Sequence, residues 1–324
     1  MFTELLEYIF HWGFSLYGLI FCIFIVGICF IIFPKLRIPL IVYIIIIQLI
    51  EPGPKEIDFW TNVSKKISMN TPYKKNVYKD TFKTVYHGTT KDDLMKPSFP
   101  SNKGKLLTFH PHGICCITYT INRAYNETDL HDILLKAKVA VHSVLFKVPF
   151  VREISQIVGL IPASKDNIKH YLDTGINVSI FPSGTKEGLY CKNDINDEYA
   201  YIKNRKGIFE LLGNEYENVQ IYTLGEQHLF LYDYKMPDII NNIMTKVVGK
   251  TTDSQVLNIF STRNLYAWHK IWKGTSNKTI TYIGDTVKYT GNVDKDREEY
   301  IKNLQTLFSN LCKEENIEKK LIIV

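Results

Sequence analysis

Lys105-Leu-Leu-Thr-Phe-His110-Pro-His-Gly113-Ile-Cys-Cys-Ile117 is the stretch whose reading decides the fold. Leu106 to Phe109 is an apolar run of strand length, and Ile114 to Tyr125 is an apolar run of helix length. A His-Pro-His-Gly corner stands between them. Pro111 fixes its own φ and biases His110 towards an extended backbone, while Gly113 lets the chain approach a ligand closely. Imidazoles at a strand end, beside the free amides of a helix start, suit general-base chemistry at a carbonyl. The competing reading is a turn whose histidines cap a helix or satisfy polar groups of the core.

The same grammar returns downstream. Asn177-Val-Ser-Ile-Phe-Pro182-Ser-Gly184-Thr-Lys-Glu187-Gly188 is a short apolar strand that ends in a Pro/Gly corner carrying Lys186 and Glu187. A carboxylate there can orient an imidazole and stabilise its charged form; the bland reading is a solvated turn. Asn204-Arg205-Lys206-Gly207 opens a helix over Lys206 to Leu212 with two cations and free amides, which suits phosphates; the rival is a pair of surface charges. Tyr222-Thr-Leu-Gly225-Glu226-Gln-His228 closes a strand over Val219 to Leu224 with polar groups. Further elements are a strand and its exit over Ala137 to Phe146, a helix over Asn167 to Asp173, and a strand over Thr279 to Ile283. An amphipathic closing helix covers Arg297 to Cys312. Strands alternating with helices predict an α/β layered sheet.

Upstream the character changes. Gly13 to Phe33 holds no charged side chain over 21 residues, enough to cross a bilayer core of about 20 apolar residues. Glu4 and Glu7 precede it where a signal peptide carries positive charge. Pro34-Lys-Leu-Arg37 breaks the run, and Ile38 to Ile50 resumes it for only 13 residues. The two arms predict a membrane-embedded helical hairpin over residues 1–54, the second arm short for a full span. A polar, basic, turn-rich connector over 55–104 and a catalytic domain over 105–324 follow. Lys65, Lys66, Lys74, Lys75 and Lys79 favour a cytosolic catalytic domain by the positive-inside rule.

Composition narrows the function class. The net charge of +6 is spread over dispersed lysines, which fits an anionic membrane surface or a phosphorylated substrate, and no nucleic-acid motif is present. The six cysteines form no Cys-x-x-Cys pair, so neither a disulfide framework nor structural zinc is expected.

The succession of motifs is more specific than any one of them. His110-Pro-His-Gly113, Arg152-Glu153, Gly159, Ser164-Lys165, Gly184-x-x-Glu187, Asn204-Arg-Lys-Gly207 and Gly225-Glu226 occur in the order and spacing of the diacylglycerol acyltransferase type 2 family. The chain resembles that family from about Lys105 to Leu231, with the hairpin and the late Tyr282-Ile-Gly284-Asp strand in keeping. The resemblance implies a mixed sheet of the glycerolipid acyltransferase type. It also implies acyl-CoA-dependent acylation of a neutral-lipid hydroxyl, with diacylglycerol as acceptor, at the endoplasmic reticulum or lipid-droplet surface. Acyl-CoA is then a substrate, no cofactor or metal is required, and self-association is left open.

In the chemistry this implies, His112 is the base and His110 its partner in the corner. The backbone at Gly113 and Ile114 faces the developing oxyanion, and Glu187 orients the imidazole. Arg205, Lys206, Gly207 and Lys186 meet the CoA phosphates. One departure bears on the acid partner, for which Glu187 is the substitute, and two bear on the acceptor. The His-x-x-x-x-Asp pattern of glycerol-phosphate acyltransferases is absent, since Cys115 and Ile117 stand five residues beyond the two histidines. Phe181-Pro-Ser-Gly-Thr-Lys is closer to a lysophosphatidate acyltransferase phrase, and Tyr222 stands where a Pro is common. The alternatives are a lysophospholipid or lysophosphatidate acyltransferase, and a membrane-anchored lipid-binding protein without catalysis.

Overall fold

The computed structural model describes residues 27–28, 30–49, 81–98, 100–113, 116–124, 128–184, 187, 197–229 and 277–324. In chain order the elements begin with α1 (Arg37–Leu49), β1 (Phe82–Tyr86), α2 (Lys91–Met95), β2 (Leu106–His110), α3 (Ile117–Ala124) and α4 (His131–Lys136). Next come β3 (Lys138–Val141), α5 (Val151–Ile157), β4 (Leu160–Pro162), α6 (Lys165–Asp173) and β5 (Val178–Ile180). The last are β6 (Asp197–Ala200), α7 (Gly207–Leu212), β7 (Glu217–Leu224), β8 (Thr279–Lys288), α8 (Val293–Glu314) and β9 (Lys320–Ile323). They fall into two compact units, one formed by Met1–Pro72 with Lys138–His170, the other by Tyr73–Ala137 with Tyr171–Val324.

In the smaller unit β3 and β4 pair in parallel, and a 3-10 turn over Ser143–Lys147 leads into α5. Helix α1 is fastened to this segment by polar groups along one side. Tyr43 Oη donates to Glu153 at 2.6 Å and accepts from the Phe150 amide at 3.0 Å, and Gln48 donates to the Lys147 carbonyl at 2.7 Å. Its other side is bare: Ile38 is 74% and Leu49 77% exposed, with Ile41, Val42, Ile45 and Ile46 between them. A helix of this length spans about 20 Å, short of a hydrocarbon core of about 30 Å. No helix among the described residues is long and apolar enough to cross a membrane. The first arm of the expected hairpin falls largely outside the described residues.

The larger unit carries strands in the order β1-β8-β7-β2-β5. Strand β2 is flanked in parallel by β5 (Leu106 opposite Val178) and β7 (Leu106 opposite Asn218, His110 opposite Tyr222). All five residues of β2 are buried, Thr108 and His110 included, which is why its sequence shows no alternation of apolar and charged residues. Strand β8 is antiparallel to β7 and parallel to β1, so the sheet is mixed. The stretch read as a connector thus supplies β1 and, behind a capping box between Thr90 and Asp93, helix α2.

Helix α8 covers one face. Asn292 caps its first turn, and Tyr300, Leu304, Leu307, Phe308 and Leu311 repeat at helical spacing on its buried side. Each fully buried side chain of this size contributes about 1.5–3 kcal/mol. A separate parallel pair, β6 with β9, fixes the loop after β6, because the amides of Ile202 and Lys203 both donate to the Val324 carbonyl at 3.1 Å.

Candidate active site

The site lies at the carboxyl end of β2, where open α/β sheets place their ligands. His110 is the last residue of the strand, and the chain turns through Pro111 and His112 to Gly113, whose φ is +57°. A side chain at Gly113 is doubly disfavoured. The φ belongs to the left-handed region, and a Cβ would sit 3.0 Å from Glu226 Cγ and 3.1 Å from its Oε1.

The two histidines of the corner have opposite surroundings. His110 is fully buried and bonded at both ring nitrogens, with Tyr300 Oη 2.8 Å from Nε2 and Ser183 Oγ 3.2 Å from Nδ1. His112 is part-buried, and its Nδ1–H donates to the Gly113 carbonyl at 2.9 Å. A carbonyl can only accept, so the proton of the neutral ring is on Nδ1 and the lone pair is on Nε2. That nitrogen has no hydrogen-bond partner among the described residues.

Apolar rings wall the imidazole. Phe181 meets His112 edge-on at 5.4 Å, and Phe181 packs in turn on Phe109 at 5.5 Å and Tyr119 at 5.4 Å. Burial pushes the His112 pKa below its ordinary value. The Gly113 carbonyl and the Glu187 carboxylate oppose that shift, and Arg205 adds to it. Burial thus favours the neutral form, as a base requires.

Glu187 is also fully buried. One carboxylate oxygen accepts from the backbone N–H of His112, and the other accepts from the Tyr201 amide at 3.2 Å and lies 3.6 Å from His110 Nδ1. The carboxylate holds the main chain of the corner and faces the ring of His110, not that of His112. Arg205 turns inward on the same side. It donates to the Ser183 carbonyl, lies over the Tyr201 ring at 5.1 Å, and keeps a buried Nε without a hydrogen-bond partner among the described residues. Lys206, next in sequence, is exposed, as is Gly207. Ile114 and Lys186 lie outside the described residues.

Sequence reasoning assigned no role to Tyr300, Ser183 or Tyr201, and it left Glu226 as one letter of a motif. Glu226 is buried, and its two oxygens accept from the Ile117 and Thr118 amides at 2.8 and 2.9 Å, which occupies the start of α3. Burial lifts its pKa to about 6 despite these bonds. The folded state then binds the proton more tightly than the unfolded chain does. The stabilising contribution is complete below about pH 4 and is lost as pH rises through about 6. Glu226→Gln cannot ionise, so the stability of the natural protein relative to this variant is expected to fall by about 2 kcal/mol between pH 4 and 7. Thermal melts of both proteins across that range test this, and a pH-independent difference refutes it.

Residues 55–323 match the family described as diacylglycerol acyltransferase. Diacylglycerol O-acyltransferase 2 of Dictyostelium discoideum is 26% identical over 229 residues, covering 66% of this chain and 68% of that protein. Diacylglycerol O-acyltransferase 2-like protein 6 of Mus musculus is 30% identical over 131 residues, covering 39% of this chain and 38% of that protein. Human 2-acylglycerol O-acyltransferase 3 is 28% identical over 138 residues, covering 40% of each. No solved structure matches. With a match across residues 55–323 and a His-Pro-His-Gly corner at the end of its central strand, the chain belongs to the diacylglycerol acyltransferase family.

Proposed function

We propose that this protein moves a fatty acyl group from acyl-CoA to the hydroxyl of a neutral lipid, diacylglycerol foremost, to form triacylglycerol. The observation that carries the reading is the part-buried His112, whose Nδ1–H is held by the Gly113 carbonyl and whose Nε2 has no hydrogen-bond partner among the described residues, in a chain of this family. In the proposed step Nε2 takes the proton of the acceptor hydroxyl while that oxygen attacks the thioester carbonyl carbon. The tetrahedral oxyanion collapses and expels the CoA thiolate, which recovers the proton from the imidazolium. Thiols have pKa values of roughly 8–9, so the leaving group needs little acid help. Because Glu226 already fills the Ile117 and Thr118 amides, the oxyanion is assigned to the backbone at Gly113 and Ile114. The Phe181 and Tyr119 rings suit an acyl chain.

Arg205, Lys206, Gly207 and Lys186 are assigned to the phosphates of CoA. The structure separates the two cations that the sequence pairs, so their replacement should differ. Arg205→Ala is expected to raise the KM for acyl-CoA about tenfold, and Lys206→Ala only about two- to threefold, with the smaller effect disappearing at high salt. Unchanged acyl-CoA dependence in both variants would assign them to structure.

The bare apolar side of α1 supports attachment to the endoplasmic reticulum or lipid-droplet surface, with the catalytic part on the cytosolic side. The reaction itself is tested by giving purified protein in membranes labelled acyl-CoA with mono- and diacylglycerols, long-chain alcohols and lysophospholipids. Labelled triacylglycerol is the expected product. Label appearing only in phospholipid would transfer the assignment to a lysophospholipid acyltransferase, and no turnover with any acceptor would leave a lipid-binding protein.

A further inference from the structure

The corner is tied to the closing helix through one side chain. Tyr300 of α8 is fully buried, and its ring meets that of His110 at 5.9 Å and 65°. Phe209 packs edge-on against it at 5.4 Å. The backbone beneath is also held: Gln220 donates to the Tyr300 carbonyl at 2.8 Å, from the point where the β7–β8 register shifts between Val219 and Ile221. A side chain fastened this way has little freedom to drift.

Its hydroxyl meets a ring whose proton can be placed. His110 Nδ1 faces Ser183 Oγ at 3.2 Å and Glu187 Oε1 at 3.6 Å. A carboxylate oxygen on that side favours the tautomer with the ring N–H on Nδ1. The lone pair then lies on Nε2, and Tyr300 donates to it across 2.8 Å. If the phenol were absent, Nε2 would be a buried acceptor without a partner. The ring could then turn or exchange tautomers, and Glu187 would lose the donor that faces it.

We propose that Tyr300 is a positioning residue for acyl transfer: its hydroxyl holds His110 in the Nδ1–H form, which keeps Glu187 on the backbone of His112 and so fixes where His112 presents Nε2. The path runs from Tyr300 Oη through the His110 ring and the Glu187 carboxylate to the His112 amide. Tyr300 itself touches no reacting atom. The inference rests on the reading of His112 as the base.

Tyr300→Phe removes only the hydroxyl. The expected result is a fall in kcat of about tenfold at saturating substrates, with the KM for acyl-CoA changing by less than about twofold. Combined with Glu187→Gln, the substitution should cost little more, because both act on one unit. A purely structural hydrogen bond would lower the melting temperature and leave the kcat of the folded fraction unchanged, and that result overturns the proposal. So does full additivity with Glu187→Gln. Should Tyr300→Phe fail to fold, the natural protein still decides. Histidine ¹⁵N spectra in micelles, with the His110 signal identified by its loss in His110→Gln, are expected to show Nδ1–H, and an Nε2–H ring refutes the idea. Loss of activity in His112→Ala alongside normal kcat in Tyr300→Phe would sink this proposal alone, whereas activity retained in His112→Ala would sink the base assignment beneath it.

Discussion

His112→Ala is expected to lower turnover by about 10²–10⁴-fold, with expression unchanged. The magnitude is that of general-base assistance, and no other imidazole in the corner is placed to substitute. His110 has both ring nitrogens occupied and no exposed surface. Its replacement by Gln should therefore be milder in rate and more costly in stability. The pH profile gives a second readout. Since burial holds the His112 pKa below the ordinary imidazole value, the acid limb of kcat/KM should lie below about pH 6.5 and vanish in the variant. Activity that survives in His112→Ala but disappears in His110→Gln would move the base to the other ring.

Glu187→Gln is expected to reduce turnover on the order of 10²-fold, which makes it the second largest effect. The carboxylate accepts from two backbone donors on opposite sides, the amides of His112 and Tyr201, and faces His110 Nδ1 with what remains. An amide offers one oxygen where two are used. Its NH2 group must then confront a backbone N–H, and an unpaired buried donor costs about 1–3 kcal/mol. Loss of the carboxylate also removes one of the two groups that hold the His112 pKa up, leaving the Gly113 carbonyl alone against burial and Arg205, which pushes that imidazole further down in pKa. The corner should shift, and His112 with it. Turnover at matched protein level, measured with a thermal melt, separates the two costs. If the melt drops while the rate of the folded fraction stays normal, Glu187 is a strut for the corner and has no part in setting the base. Adding His112→Ala to Glu187→Gln should cost little more than His112→Ala alone.

The core strands were legible because burial on both faces leaves an apolar run that composition cannot hide. The apolar stretches Leu106 to Phe109, Asn177 to Phe181 and Val219 to Leu224 marked β2, β5 and the last six residues of β7 although polar residues are interspersed, and the polar start of β7, Glu217-Asn218, was missed. The edge was not. In Phe82–Tyr86 only the first residue is fully buried, so Lys83 and Thr84 break the pattern, and the strand exists because β8 supplies its partner. Strand β8 itself runs on to Lys288, beyond the apolar part that could be read, since its pairing with β7 continues after burial has ended.

The site shows the same division. His110, His112, Gly113 and Glu187 were legible as chemistry-bearing residues at strand ends, but not which atoms they spend on one another. Glu187 grips a backbone amide, a partner that no side-chain pattern announces. Arg205 and Lys206 look equivalent in sequence, and a turn of the backbone sends one inward and the other to solvent. Tyr300 was visible only as a position within an amphipathic helix. Its hydroxyl reaches a histidine 190 residues earlier, a separation at which sequence spacing carries no signal.

The place of β8 between β1 and β7 has a consequence for biosynthesis. Thr89, just past β1, bonds across the seam to Thr286 at 2.9 Å, although 197 residues separate them. At about 5–20 residues per second the ribosome delivers that partner roughly 10–40 s after β1 has emerged. Through that interval β1 presents unpaired amides and carbonyls, and open strand edges recruit other chains. Pairing of β1 therefore waits until about 200 further residues have been translated, and the nascent protein depends on whatever shields β1 until β8 arrives.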